Sequence, residues 1–236
     1  MVRHKAAKAT LEVGTSEEWN DDHISDFEDE VIIERNFITP VITTEWDLGQ
    51  VAGGVAPVIA FVDHHAFAYL NTGGVTGQIS SMRHEFNGAA GNITYIDDAP
   101  IMTTAIWLDA YHTAGLVAEF GLIDSASAAA FTANQDGAYF RIEDNVLYAV
   151  TGTGAAETAT NITPVTGIPE YGNYRIELTS VNCKFYVDDM ETPVATHTNN
   201  FPDADLTIKY SIQSQNNVDS KMYVDGVGLS RNRYKG

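Results

Sequence analysis

The chain has 236 residues, 44% of them hydrophobic, with 13 Lys and Arg against 32 Asp and Glu, a formal net charge of −19. So acidic a surface repels nucleic acid, whose binding rewards clustered Lys and Arg, and no run of about 18 apolar residues offers a membrane span. The single cysteine, Cys183, excludes an intrachain disulfide and a zinc site built on cysteines, and is expected to be a small apolar residue in a strand. Salt screens self-repulsion over a few Å at about 1 M, so folding is expected to strengthen with salt, as in a halophilic protein. The plainer reading is an ordinary acidic surface that favours solubility.

Residues 1–30 differ from the rest. Arg3, His4, Lys5 and Lys8 make a basic tip with no apolar stretch of the kind a signal peptide needs. Thr15 and Glu18 have the spacing of a capping box, which predicts a short helix to about residue 23. The apolar residues here, Leu11, Val13, Trp19, Ile24 and Phe27, are too few to form a core, so something else must bury them. This segment is expected to be a docking arm, followed by one globular domain over residues 31–236.

From Val31 onward the pattern is that of strands. Residues 31–38 read as one, and residues 57–71 as a long apolar one with Phe61, Phe67 and Tyr69. A turn at Thr72-Gly73-Gly74 follows, then a strand over residues 78–86 and a turn at residues 88–92. Residues 101–111 and 116–123 read as a strand pair joined at residues 112–115, with Trp107 and Phe120 as core candidates. Residues 125–130 have the one helix propensity after the arm. Residues 137–151 read as a hairpin. Strand signals then recur about every ten residues, the spacing of an all-β sandwich. No internal repeat is visible.

The clearest stretch is residues 174–197. Tyr174, Ile176 and Leu178 alternate with Arg175, Glu177 and Thr179, the period of a strand with one buried face. A turn at residues 179–182 leads to Cys183, Phe185 and Val187 on one face and Lys184 and Tyr186 on the other. Asp188-Asp189 turns the chain again, and Pro193 marks a short third strand as an edge. Hairpins are marginal alone, so a larger antiparallel sandwich must surround them.

The runs "YRIEL…KFYVDD…PVATHT" and "KMYVDGVGLS", preceded by "GAYFRI…LYAVT", resemble the laminin-G-like or concanavalin-A-like jelly roll over about residues 100–230. More narrowly they resemble jelly-roll modules of tailed-virus tail and capsid appendages. The stretch "HKAAKATLEVGTSEEWNDDH" is similar to the N-terminal arms of such proteins. The resemblance implies a virion surface protein, non-enzymatic and homotrimeric. Its arm residues Leu11, Val13, Trp19, Ile24 and Phe27 would dock on capsid or tail subunits, and its head would decorate the particle or touch host surface glycans. The alternative is a carbohydrate-binding module of a secreted or cell-surface protein.

Other constellations are weaker. Asp63 and His65 could share a metal ion with His84, whereas His64 points the other way along a strand. Asp188, Asp189, Asp203, Asp205 and Asp225 raise calcium, which needs several oxygens converging from loops, as some laminin-G-like domains provide. No cofactor is otherwise expected. Glycoside hydrolases of the concanavalin-A-like fold carry an E-x-D-x-x-E run that sets two carboxylates on one face of a strand. Here Glu119 is followed by Phe120 and Gly121, with no aspartate two residues on. Tyr111, Tyr139, Tyr148, Tyr171, Tyr174 and Tyr186 could stack on sugars or anchor an interface, or face the core.

Overall fold

The computed structural model describes residues 29–36, 46–51, 55–62, 65–84, 94, 96–109, 115–124, 135–217 and 219–232. The five arm residues Leu11, Val13, Trp19, Ile24 and Phe27 lie outside them, as do the capping box and residues 125–130.

The strands are β1 (Asp29–Asn36), β2 (Trp46–Val51), β3 (Val55–Val62), β4 (His65–Asn71), β5 (Ile79–His84), β6 (Pro100–Asp109) and β7 (Leu116–Asp124). After them come β8 (Asp136–Glu143), β9 (Val146–Thr153), β10 (Glu157–Asn161), β11 (Tyr171–Leu178), β12 (Cys183–Val187), β13 (Ala195–His197), β14 (Leu206–Ser214) and β15 (Lys221–Asn232). One 3-10 turn, Ile96–Asp98, precedes β6. An eight-stranded sheet runs β13–β12–β11–β6–β15–β4–β3, with β1 paired to β15 beyond the end of β4. A seven-stranded sheet runs β10–β9–β8–β7–β14–β5–β2. The described pairings are antiparallel, and the two sheets stack as a β-sandwich, the jelly roll expected from the sequence.

Alternation builds the core. On β6, Met102, Thr104, Ile106 and Leu108 are buried, while Thr103 and Asp109 are exposed. On β11, Tyr174, Ile176 and Leu178 face inward. Phe120, Phe140, Tyr174 and Phe185 meet at ring-centroid distances of 4.8–5.4 Å, which locks the two sheets face to face. Tyr210 donates its hydroxyl to Thr104 Oγ1 at 2.9 Å, joining β14 of one sheet to β6 of the other. Cys183 is fully buried between the sheets, and burial pushes its thiol well above the ordinary range.

The local hairpins form where the sequence placed them. Asp144 and Asn145, both at positive φ, make the tight turn between β8 and β9, as asparagine and aspartate tolerate that conformation. Three longer-range expectations need correction. Residues 57–71 are two paired strands, with Val62 opposite His65, and Asp63 and His64 lie outside the described residues. β6 and β7 are not paired: β6 lies between β11 and β15, and β7 between β14 and β8, so the chain changes sheets between them. Trp107 is not in the core, because it shares its strand face with Thr103 and Asp109, and Phe120 is in it.

Candidate functional site

The candidates singled out in the sequence do not gather. His84 is buried and packs edge-on against Trp46 at 5.1 Å. Asp188 accepts the Asn173 amide of β11 at 2.9 Å, and Asp189 caps the turn after β12, where backbone amides of Glu191 and Thr192 bond it and lower its carboxyl below the usual range. Asp203 bonds Asp136, and Asp225 lies on β15. Among the described residues, no group of three His, Cys, Asp or Glu side chains is placed to hold a metal ion. Tyr174 is in the core, Tyr186 donates to Glu177 at 2.7 Å beneath the Arg175 guanidinium, and Tyr111 lies outside the described residues.

Two outer faces carry chemistry instead. The first belongs to the seven-stranded sheet. Along β7, Leu116, Ala118, Phe120 and Leu122 point into the sandwich, which sends Glu119 outward at the middle of the central strand. Glu119 is nevertheless only 2% exposed. Arg141, opposite it on β8, donates Nε to Glu119 Oε1 at 2.9 Å. Its other nitrogens grip both oxygens of Glu157 at 3.0 and 3.1 Å, and Nη2 also reaches the Tyr139 hydroxyl at 2.8 Å. Gln135 donates to the second Glu119 oxygen and accepts from Lys209 Nζ at 3.3 Å.

Burial raises the Glu119 carboxyl above its ordinary range, with Arg141 pulling the other way. Burial also lowers the Lys209 amine to about 8. One guanidinium thus spans two carboxylates, and each of their four oxygens already accepts a hydrogen bond. At the rim of this sheet Asp136 and Asp203 are hydrogen-bonded to each other. Burial, then that bond, raises the Asp136 carboxyl to about 7. A directly bonded pair is closer than the roughly 5–9.5 Å that separates the two carboxyl groups of glycosidases.

The second face belongs to the eight-stranded sheet. Tyr171 on β11 lies opposite Trp107 on β6, which lies opposite Tyr223 on β15; Tyr223 lies opposite Tyr69 on β4, and Tyr69 opposite Val58 on β3. Five neighbouring strands therefore contribute one side chain each to a single row, about 19 Å long at about 4.8 Å per strand. Trp107 and Tyr223 stack at 4.5 Å, Tyr69 and Tyr223 lie 4.9 Å apart, and Phe67 meets Tyr223 edge-on at 5.9 Å. The two ends of the row are exposed, Tyr171 at 48% and Val58 at 47%, while Trp107, Tyr223 and Tyr69 between them are half-buried.

Polar groups line the Trp107 and Tyr171 end of the row and one flank of its middle. Trp107 Nε1 donates to Glu170 Oε1 at 3.1 Å, and the Tyr171 hydroxyl donates to Asp225 Oδ2 at 3.1 Å. Asp225 is the extra residue of a bulge in β15, where the register shifts between Val224 and Gly226. Such bulges re-aim a side chain, here toward the aromatic row. Asn71 donates to the Tyr69 hydroxyl at 2.5 Å, and Lys221 Nζ lies 3.5 Å from Asp109 and 3.8 Å from Asp219.

Of this row the sequence reading singled out only Tyr171 as a possible binding residue, named Tyr69 without a role, and misplaced Trp107. The available signal was parity. Phe67, Tyr69 and Asn71 alternate with the buried Ala68 and Leu70, and Tyr223 alternates with the buried Met222 and Val224.

No protein-family model matches the chain, and no curated protein matches it. Solved structures do. The GH16 protein of a Bacteroides ovatus mixed linkage glucan locus, solved with a product, has a TM-score of 0.59 and 10% identity over 84% of this chain and 99% of that one. The β-glucanase of Bacillus licheniformis has a TM-score of 0.58 and 12% identity over 84% of this chain and 96% of that one. The Mycobacterium tuberculosis protein described as an immunostimulatory antigen and pseudo β-1,3-glucanase has a TM-score of 0.60 and 10% identity over 85% and 98%.

These neighbours overturn the expectation of a virion surface protein docked on capsid or tail subunits, and with it the expectation of a non-enzymatic role. Several of the structures that share the fold are described as glycoside hydrolases or glucanases, and one, from Shewanella oneidensis, as a protein of unknown function. At so low an identity the likeness shows the concanavalin-A-like jelly-roll fold, and that is the fold of this chain.

Proposed function

We propose that the protein is carbohydrate-active and holds a polysaccharide along the aromatic row of its eight-stranded sheet. The observation that supports this reading is the row itself: Tyr171, Trp107, Tyr223 and Tyr69 side by side on one outer face, the first exposed and the others half-buried. A sugar ring has apolar C–H faces and a rim of hydroxyls. The row offers rings to the former, and carboxylates, an amide and phenol groups to the latter. The glucanase and glycoside hydrolase descriptions of the structural neighbours agree with this class of ligand.

Hydrolysis is a second reading, favoured by Glu119 and Glu157 flanking one guanidinium at the centre of the other sheet. The test is affinity electrophoresis in gels containing barley mixed-linkage β-glucan or laminarin, combined with an assay of reducing ends released from the same polymers. Retardation that Trp107→Ala weakens by about tenfold or more supports the row as the binding face. Release of reducing ends that Glu119→Gln and Glu157→Gln abolish assigns hydrolysis to the network. Neither retardation nor release with any polysaccharide overturns the carbohydrate reading.

A further inference from the structure

The groups around the aromatic row restrict what it can accept. Glu170 and Asp225 bond its Trp107 and Tyr171 ends, and Asp109 and Asp219 stand beside Lys221 at the level of Tyr69 and Tyr223. Four carboxylates thus face one ammonium, which is itself held between two of them. Among the described residues, one oxygen each of Glu170, Asp225 and Asp109 accepts no other hydrogen bond. An ionised carboxylate only accepts, so these oxygens suit a ligand that donates, through hydroxyl or amino groups. A ligand bearing its own carboxylates or sulfates would bring like charges together on this face and be repelled.

We propose, resting on the carbohydrate reading above, that the row selects polysaccharides free of acidic groups and that Asp109, Glu170 and Asp225 exclude polyanionic ones. The exclusion is local. It is separable from the overall charge of −19, which repels any polyanion at low salt and is screened beyond about 10 Å at 0.1 M.

The experiment compares retention of the full chain by barley mixed-linkage β-glucan and by alginate, a polyuronate, at 0.1 and 0.5 M NaCl. It uses the wild type and the triple variant Asp109→Asn, Glu170→Gln, Asp225→Asn. Each replacement keeps an acceptor oxygen for Trp107, Tyr171 or Lys221. The wild type is expected to hold the neutral glucan at least about tenfold more tightly than alginate at both salt concentrations. The triple variant, which loses the three acceptors that meet sugar hydroxyls, is expected to bind the glucan more weakly and to bind alginate at least about tenfold more tightly than the wild type does, so that the gap nearly closes. Equal wild-type binding of the two polymers overturns the inference and leaves the carbohydrate reading standing, as does a gap unchanged in the triple variant. Binding of neither polymer, with circular dichroism showing a folded protein, overturns the inference, and the carbohydrate reading falls with it when laminarin is neither retained nor cleaved.

Discussion

Arg141 carries more consequence than any other charged residue described. Its guanidinium is the cationic partner of the buried Glu119 and of Glu157, so removing it strands a carboxylate beneath the surface of the seven-stranded sheet. Breaking one side of a buried pair costs about 3–5 kcal/mol, mostly the desolvation of the charge left behind. Arg141→Met is therefore expected to lower the unfolding free energy by about that amount in urea titrations. Glu119→Gln removes a charge that burial already disfavours, and is expected to cost under about 2 kcal/mol. A larger loss for Glu119→Gln than for Arg141→Met would contradict this account of the network. Little of it was legible in the sequence, where Glu119 stood out only for the aspartate it lacks two residues on. Arg141, Glu157, Gln135 and Lys209 come from separate strands and loops, and only register brings them to Glu119.

At the scale of elements, β13 owes its place to a histidine. His197 is buried at the edge of the eight-stranded sheet, with its two ring nitrogens hydrogen-bonded to Thr151 on β9 and Thr160 on β10, each at 2.9 Å. It therefore ties the edge of one sheet to the edge of the other. Burial lowers its pKa below the ordinary value, so the folded protein keeps the ring neutral while the unfolded chain takes up a proton near pH 6.5. The stability this group contributes is present above that pH and is lost as pH falls through it. The melting temperature of the wild type relative to His197→Gln is expected to fall between about pH 7.5 and 5.5, a comparison that cancels the opposite contribution of Asp136, whose raised carboxyl takes up a proton in the folded state over the same range; a difference that does not change with pH would refute the latch.

The same scale explains what the sequence could and could not tell. The β8–β9 and β11–β12 hairpins were legible because turn residues and alternation are local signals. The placement of β6 and β7 in different sheets was not, because a crossover between sheets leaves no local mark and a polar loop between two apolar runs reads equally well as a hairpin. Trp107 was misassigned by its size, although its parity with Thr103 and Asp109 already set it on the outer face.

The whole molecule is a sandwich with two unlike outer faces. One is closed by a polar network whose carboxylates are already fully bonded; the other presents a partly exposed row of rings with carboxylates at one end and along one flank. The row exists only in the assembled sheet, since its side chains come from positions 58, 69, 107, 171 and 223. The central claim is that the glycan lies on this aromatic face and not on the closed one. Titration calorimetry with barley mixed-linkage β-glucan tests it most directly, comparing wild type, the double variant Tyr171→Ala, Tyr223→Ala and the network variant Glu157→Gln. Aromatic anchors at an interface are each worth about 2 kcal/mol or more, so the double variant should bind about 700-fold more weakly or worse while Glu157→Gln binds as the wild type does. Wild-type affinity in the double variant, or loss of binding in Glu157→Gln alone, would contradict it.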